Sequence, residues 1–414
     1  MQTQTPRPQP PAPSRWGVFA AAPHRLLFLP GAAQAVLAMA LWLAELLGRT
    51  GVVPLPPIVI TPTWAHVFLM LFGLFPFFIF GFLLTVYPRW MNGPVVPASR
   101  YVPVSLFLTG GMILFYVGLF TARAVLEIGL LLQLAGWGVG LYALFAVFRR
   151  APKHGAHETV LNLALLAAVA GILSFLHGVA TDSGSSLLLA REFGLWLFLV
   201  PVVFIVSHRM IPFFSSTALS GYTAVRPAWS LPVLAVGVVG HAALELLGYP
   251  QWLFVFDAPL LFMAIHHSRL WKFRRSFEVR LLAMLHIAFL WFGIAMALYT
   301  VQSLALLLGN VWLFGRAPLH ALGIGFVTGM MVAMVSRVTL GHSGRALEAD
   351  NLTWRVLFGV HLAALLRMGA EFLPPAASGT LNALAAATWL AALAPWAWRY
   401  LPMYLRPRID GKPG

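Results

Sequence analysis

Charge is almost absent from long stretches of this chain, and that absence restricts its folding more than any motif does. Apolar runs recur at about 26–48, 65–88, 102–121, 124–148, 158–181, 190–214, 228–248, 251–268, 279–301, 317–338, 353–373 and 377–400. At ~1.5 Å of rise per residue, about twenty helical residues cross a hydrocarbon core roughly 30 Å thick. In hydrocarbon each backbone N–H and C=O must be satisfied within its own segment, so every run reads as a helix. Composition agrees: 60% of the 414 residues are hydrophobic and 9% charged, against about 25% charged in soluble domains. The expected fold is all-α, a polytopic integral membrane bundle of about 12 transmembrane helices. The segment 302–315 is left as a half-helix or interfacial piece.

The net charge of +15 would suit nucleic acid in a soluble protein, but here the basic residues sit in the gaps between apolar runs. With both termini cytoplasmic, only Arg49, Arg123, Arg191, Arg316 and Arg367 fall outside, and the other 22 of 27 Lys and Arg residues fall inside. Missing one helix would scramble that asymmetry, so the positive-inside rule supports both count and orientation. A bilayer is therefore the expected partner, with no nucleic acid. Residues 1–22 are polar and proline-rich and read as a disordered cytoplasmic tail. Residues 23–405 form the twelve-helix transmembrane domain, and 406–414 a short cytoplasmic tail.

The sequence has no cysteine, which excludes disulfides, thiolate metal sites, iron–sulfur ligation and a cysteine nucleophile. It also lacks GxxxxGK[ST], GxGxxG and HExxH, so nucleotide hydrolysis, dinucleotide binding and zinc proteolysis have no support. Any metal must be held by histidine, methionine or carboxylate.

Histidines inside a bilayer are costly and rarely idle. The topology sorts the 13 histidines by depth. His66, His177, His241 and His320 fall in the outer parts of four different helices. His208, His266, His267, His286 and His342 fall near the inner side, His361 near mid-membrane, and His24, His154 and His157 in loops or tails. Four outer histidines on four helices are what a bundle would use for a haem or copper site, since neutral imidazole suits both metals. Glu245 lies four residues after His241 on the same helix face, placed to orient that imidazole or ligate a metal. Taken singly, each histidine fits a cross-helix hydrogen bond equally well. The run from His266 to Phe277 reads as a contact with anionic lipid headgroups.

Two stretches stand out. Pro318 to Arg345 opens with His320, runs through about twenty nearly uncharged residues, and closes with Arg337, His342 and Arg345. On a continuous helix its two histidines lie roughly 33 Å apart, so one metal cannot serve both ends. Arg337 and Arg345 cannot ligate a cation, but pair with cofactor carboxylates, lipid phosphates or backbone carbonyls, so with His342 they are expected to form an inner-face structural or anionic-partner site. Gly323, Gly325 and Gly329 let another helix, or a flat cofactor, come close. The second stretch, Trp64 to Trp90, carries Phe72, Phe75, Phe77, Phe78, Phe80 and Phe82 around a mid-span Pro76, which should kink it. Those rings suit a porphyrin wall or, more simply, a lipid-facing or packed core.

Both stretches resemble the NnrS family, bacterial membrane proteins that bind haem and copper and act in the response to nitric oxide. The late signature is matched by His320, Ala321, Leu322, Met330, Arg337, Val338, Leu340, Gly341, His342, Gly344, Arg345 and Leu347. His66, Met70 to Gly73, Gly81 to Thr85, Pro88 and Trp90 match an earlier one. Phe68 stands at the family's second histidine and Leu69 at its glutamate. Arg209 to Phe214 and the stretch from His286 match two more motifs.

The resemblance implies a haem b, with copper as a further candidate, in a multi-pass protein of the bacterial inner membrane. It implies binding or detoxification of nitric oxide or another small diatomic ligand, or protection against nitrosative stress during denitrification. Respiratory or denitrification membrane proteins are the implied partners. His66 and His320 are the leading ligands, with His241 and His177 as alternates or copper ligands. No CxxCH is present to hold a c-type haem. The axial nitrogens of a haem lie roughly 4 Å apart, given iron–nitrogen bonds of about 2 Å, so the helices of His66 and His320 should be neighbours. Nothing in the sequence establishes turnover. The alternative is a transporter broken at Pro76, Pro201 and Pro259, or a metal-free membrane assembly partner of a respiratory complex.

Overall fold

The computed structural model describes residues 14–52 and 55–412. The described residues form helices and no strand. After a short helix α1 (Arg15–Phe19), capped by Ser14, come α2 (Pro23–Arg49), α3 (Pro62–Trp90), α4 (Ala98–Phe120), α5 (Arg123–Arg150), α6 (Ala156–Thr181), α7 (Gly184–Ala218) and α8 (Ser230–Leu247). The chain continues through α9 (Phe254–Leu270), α10 (Arg280–Gly309), α11 (Ala317–His342), α12 (Asn351–Gly369) and α13 (Pro375–Leu405).

Each apolar run of the sequence has its helix. Among the described residues, 10 helices are long and apolar enough to cross a membrane, and this is a multi-pass membrane protein. The two that do not qualify are α12 and the 17-residue α9. Residues 302–309, left open by the sequence, simply extend α10 to Gly309. Of the expected N-terminal tail, residues 1–13 lie outside the described residues, and Arg15–Phe19 packs as a helix turn against α13.

Helix α2 packs between α3 and α13, α4 lies against α5, α9 against α10, and α12 against α13. Helix α11 contacts α10, α12, α13 and α3. Between membrane helices apolar burial gives little drive, so close packing and small residues hold the pairs. The α4–α5 pair shows this. A Cβ on Gly111 would sit 2.8 Å from the Gly129 carbonyl, and one on Gly118 would overlap the Leu126 backbone.

Candidate functional site

Three of the long helices widen into π-helical turns: Leu69–Leu74 in α3, Phe193–Leu199 in α7 and Ala321–Thr328 in α11. Such turns are rare and favour functional sites. Two have a visible cause, because Pro76 and Pro201 follow closely. A prolyl ring has no N–H and clashes with the carbonyl four residues back, so the widened turn takes up the mismatch. Pro76 therefore follows a π turn inside an unbroken α3. In α11 the Thr328 hydroxyl donates to the Gly323 carbonyl, five residues back, at 3.0 Å.

The candidate ligands sit beside these turns. His66 lies just before the π turn of α3, and His320 directly before that of α11. The His320 Nδ1–H donates to the Arg316 carbonyl at 2.9 Å. That bond fixes the tautomer and leaves the Nε2 lone pair open. His66 stacks on Trp42, with ring centroids 4.1 Å apart and planes at 20°, and its buried Nδ1 has no partner. The two imidazoles are electrostatic neighbours of each other and of Arg367, which is itself bonded to Glu371 at 2.6 Å. A Cβ on Gly323 would meet nothing within 4 Å, so the turn after His320 has an open flank.

His241 is the most enclosed of the outer histidines. It is fully buried, with Nδ1 2.7 Å from Oδ1 of the equally buried Asp257. Its ring stacks on Trp196, in the π turn of α7, at 3.4 Å and meets the edge of Tyr299 at 4.8 Å. His241 Nε2 and Asp257 Oδ2 are both buried without a partner. The orienting carboxylate is thus Asp257 from α9, whereas Glu245 turns to Arg191, 3.6 Å away. Arg191 also holds Glu192 at 2.6 Å. His177 is not gathered in: its ring is exposed and bonded to the Ser186 hydroxyl at 2.9 Å.

At the other end of the bundle the expected trio separates. Arg337 lies over the Phe214 ring at 4.0 Å. Arg345 lines a polar pocket with Arg280, Glu348, Asp350 and Arg399. His342 meets His24, with ring centroids 4.5 Å apart. A further histidine group escaped the sequence reading. His157 Nε2 lies 2.9 Å from His208 Nδ1, and His267 packs 5.3 Å from His208. His267 bonds Met263 O and Ser230 Oγ in full burial, so it is not a headgroup contact. Among the described residues, no group of three or more His, Cys, Asp or Glu is arranged to hold a metal ion.

A family model described as NnrS protein matches residues 18–408. The chain belongs to the NnrS family. A search of curated proteins gave no match. The NnrS family is generally a metal-binding family, and membership fits a membrane protein of the nitric oxide response.

Two NnrS features take a different meaning in the structure. Phe68, at the family's second histidine, is fully buried between Phe115 (4.6 Å) and Phe175 (4.7 Å). Two helical positions from His66, its ring points to another side. Two glycines of the late motif serve helix packing: Gly325 receives the ring of Trp291, and Gly329 faces His361. The α3 phenylalanines likewise fill notches, with Phe72 against Gly171 and Gly194 and Phe80 against Gly140.

Proposed function

We propose that this NnrS-family chain is an inner-membrane haem protein that binds or detoxifies nitric oxide, with copper as a further candidate metal. One observation carries the reading: His66 and His320 lie at the same end of the bundle as electrostatic neighbours, each with a ring nitrogen that has no protein partner. These residues fit a flat macrocycle. Two imidazoles suffice, because the porphyrin supplies the remaining ligands, and Gly323 leaves space on one flank. Among the described residues the absence of a three-ligand group is compatible with that arrangement.

Haem, when bound, would supply an iron that takes up a diatomic gas where one of the two imidazoles is displaced. The chain's residues do the rest. The Arg316 carbonyl sets the His320 tautomer, Trp42 holds the plane of His66, and Arg367, paired with Glu371, is a cationic neighbour of both rings. Between α3, α7 and α11, the three helices with π turns, lies an apolar cavity of about 70 Å³ lined by residues such as Phe75, Phe78, Val206, Met330 and Met334. Apolar space of this kind admits small apolar molecules, a property that suits a diatomic gas. His241 is the candidate for a second metal, because a histidine held by a carboxylate at one nitrogen and open at the other is the usual arrangement of a metal ligand.

The test is to replace His66 and His320 singly with alanine and measure bound haem per protein. Loss of haem, or a changed spectrum, is expected in each. Full haem with an unchanged spectrum in both variants overturns the assignment and directs attention to His241.

A further inference from the structure

The end of the bundle opposite His66 and His320 has its own unmet chemistry. Helix α2 begins at Pro23 with no side-chain cap and no acidic residue in its first turn. A helix N-terminus carries roughly half a positive charge. On that first turn stand His24 and Arg25, each 2% exposed. His24 Nδ1 and Arg25 Nε are buried with no hydrogen-bond partner. His24 packs on His342 at 4.5 Å, and the charged neighbours of these two rings are Arg25, Arg89 and Arg408. Asp410 answers Arg408 with bonds of 2.9 and 2.6 Å. Among the described residues no carboxylate pairs with Arg25 or Arg89.

Burying cations and orphaned polar atoms together is costly unless an anion completes them. The missing partner needs several acceptor oxygens, because the free groups belong to different side chains. Phosphate has that form, and arginine with a helix N-terminus is its usual protein counterpart. We infer that His24, Arg25, Arg89, His342 and Arg408 form a phosphate-binding site at this end of the bundle. It is separate from any cofactor near His320, which lies at the other end of α11. The phosphate belongs to an anionic lipid headgroup or is free in solution.

The location also gives the site a structural consequence. Arg25 Nη1 donates to the carbonyls of Val18 (3.3 Å), Tyr404 (3.2 Å) and Arg406 (2.9 Å). The Ile409 amide donates to the Ser343 carbonyl at 3.1 Å. Both terminal segments and the loop after α11 therefore converge here, and a bound phosphate ties them together.

The experiment uses the full chain, purified in detergent and stripped of lipid. Thermal unfolding is followed with inorganic phosphate against chloride at equal ionic strength, and with phosphatidylglycerol against phosphatidylcholine. Arg89→Gln is the main variant, since Arg89 is exposed and makes no hydrogen bond or ion pair among the described residues. His24→Asn is the second, and Arg150→Gln, at the same end, is the control. Wild type and R150Q should be stabilised by phosphate, by phosphatidylglycerol, or by both. R89Q and H24N should need about tenfold more of the same ligand, equivalent to roughly 1.4 kcal/mol. Stabilisation by phosphatidylglycerol alone assigns the lipid, and stabilisation by inorganic phosphate assigns the free anion. No stabilisation of wild type by either ligand, or an R89Q response equal to wild type, overturns the site. The haem content of R89Q is measured alongside, so this test stands or falls apart from that of His66 and His320.

Discussion

Replacing Asp257 with alanine removes the hydrogen-bond partner of a fully buried imidazole. In the native chain the 2.7 Å bond satisfies His241 Nδ1, while Nε2 has no protein partner. Asp257→Ala leaves both ring nitrogens bare, and one buried polar group left unpaired costs about 1–3 kcal/mol. Asp257→Asn keeps an acceptor in place and loses only the charge, so it should lose less stability. The metal readout is separate. If His241 Nε2 is a ligand, losing the carboxylate behind it lowers metal affinity roughly 10–100-fold. Thermal unfolding in detergent reads the first quantity, and copper titration against a competing chelator reads the second. The predicted order in both is wild type, then D257N, then D257A. If D257A unfolds with wild type and binds copper as tightly, the Asp257–His241 pair neither stabilises the bundle nor prepares a ligand.

Three further outcomes follow from particular contacts. Gly118→Ala forces a methyl into the Leu126 backbone and should lose about 1–3 kcal/mol of stability by overpacking, whereas Gly138→Ala meets nothing within 4 Å and should be neutral or better; equal losses would refute the packing account of α4 and α5. The exposed Arg123–Asp182 pair, with bonds of 2.8 Å, holds the Asp182 carboxyl below its usual range through hydrogen bonding to Arg123. Its small contribution is present above the unfolded-state value and fades as pH falls through the folded one, so Arg123→Gln should lower the unfolding midpoint slightly at neutral pH and not in strong acid. A reporter fused after Gly414 should read cytoplasmic, and a periplasmic reading would refute the orientation drawn from the basic residues.

The positions of the helices were legible because apolar length alone sets them. Depth was legible too, since rise per residue puts His66 and His320 at one end and His342 at the other. Rotation about each helix axis was not. Lipid is as apolar as a helix interface, so a uniformly hydrophobic span gives no signal of which face is buried. His177 therefore looked equivalent to His241, yet one ring is exposed and the other sealed. His267 read as a headgroup contact and is fully buried. Glu245 had the right spacing on its own helix, but the carboxylate that reaches His241 comes from α9, which only the fold brings near. The π turns left a faint trace in Pro76 and Pro201, and none in α11.

The central claim is that His66 and His320 together hold a haem. The most direct measurement is the absorption spectrum of the purified full chain, wild type beside His66→Ala and His320→Ala, with haem extracted and quantified from each. Wild type should show a Soret band, and both variants should lose or displace it. A wild-type protein without a Soret band after expression with ample haem, or two variants with the wild-type spectrum and full haem, would contradict it.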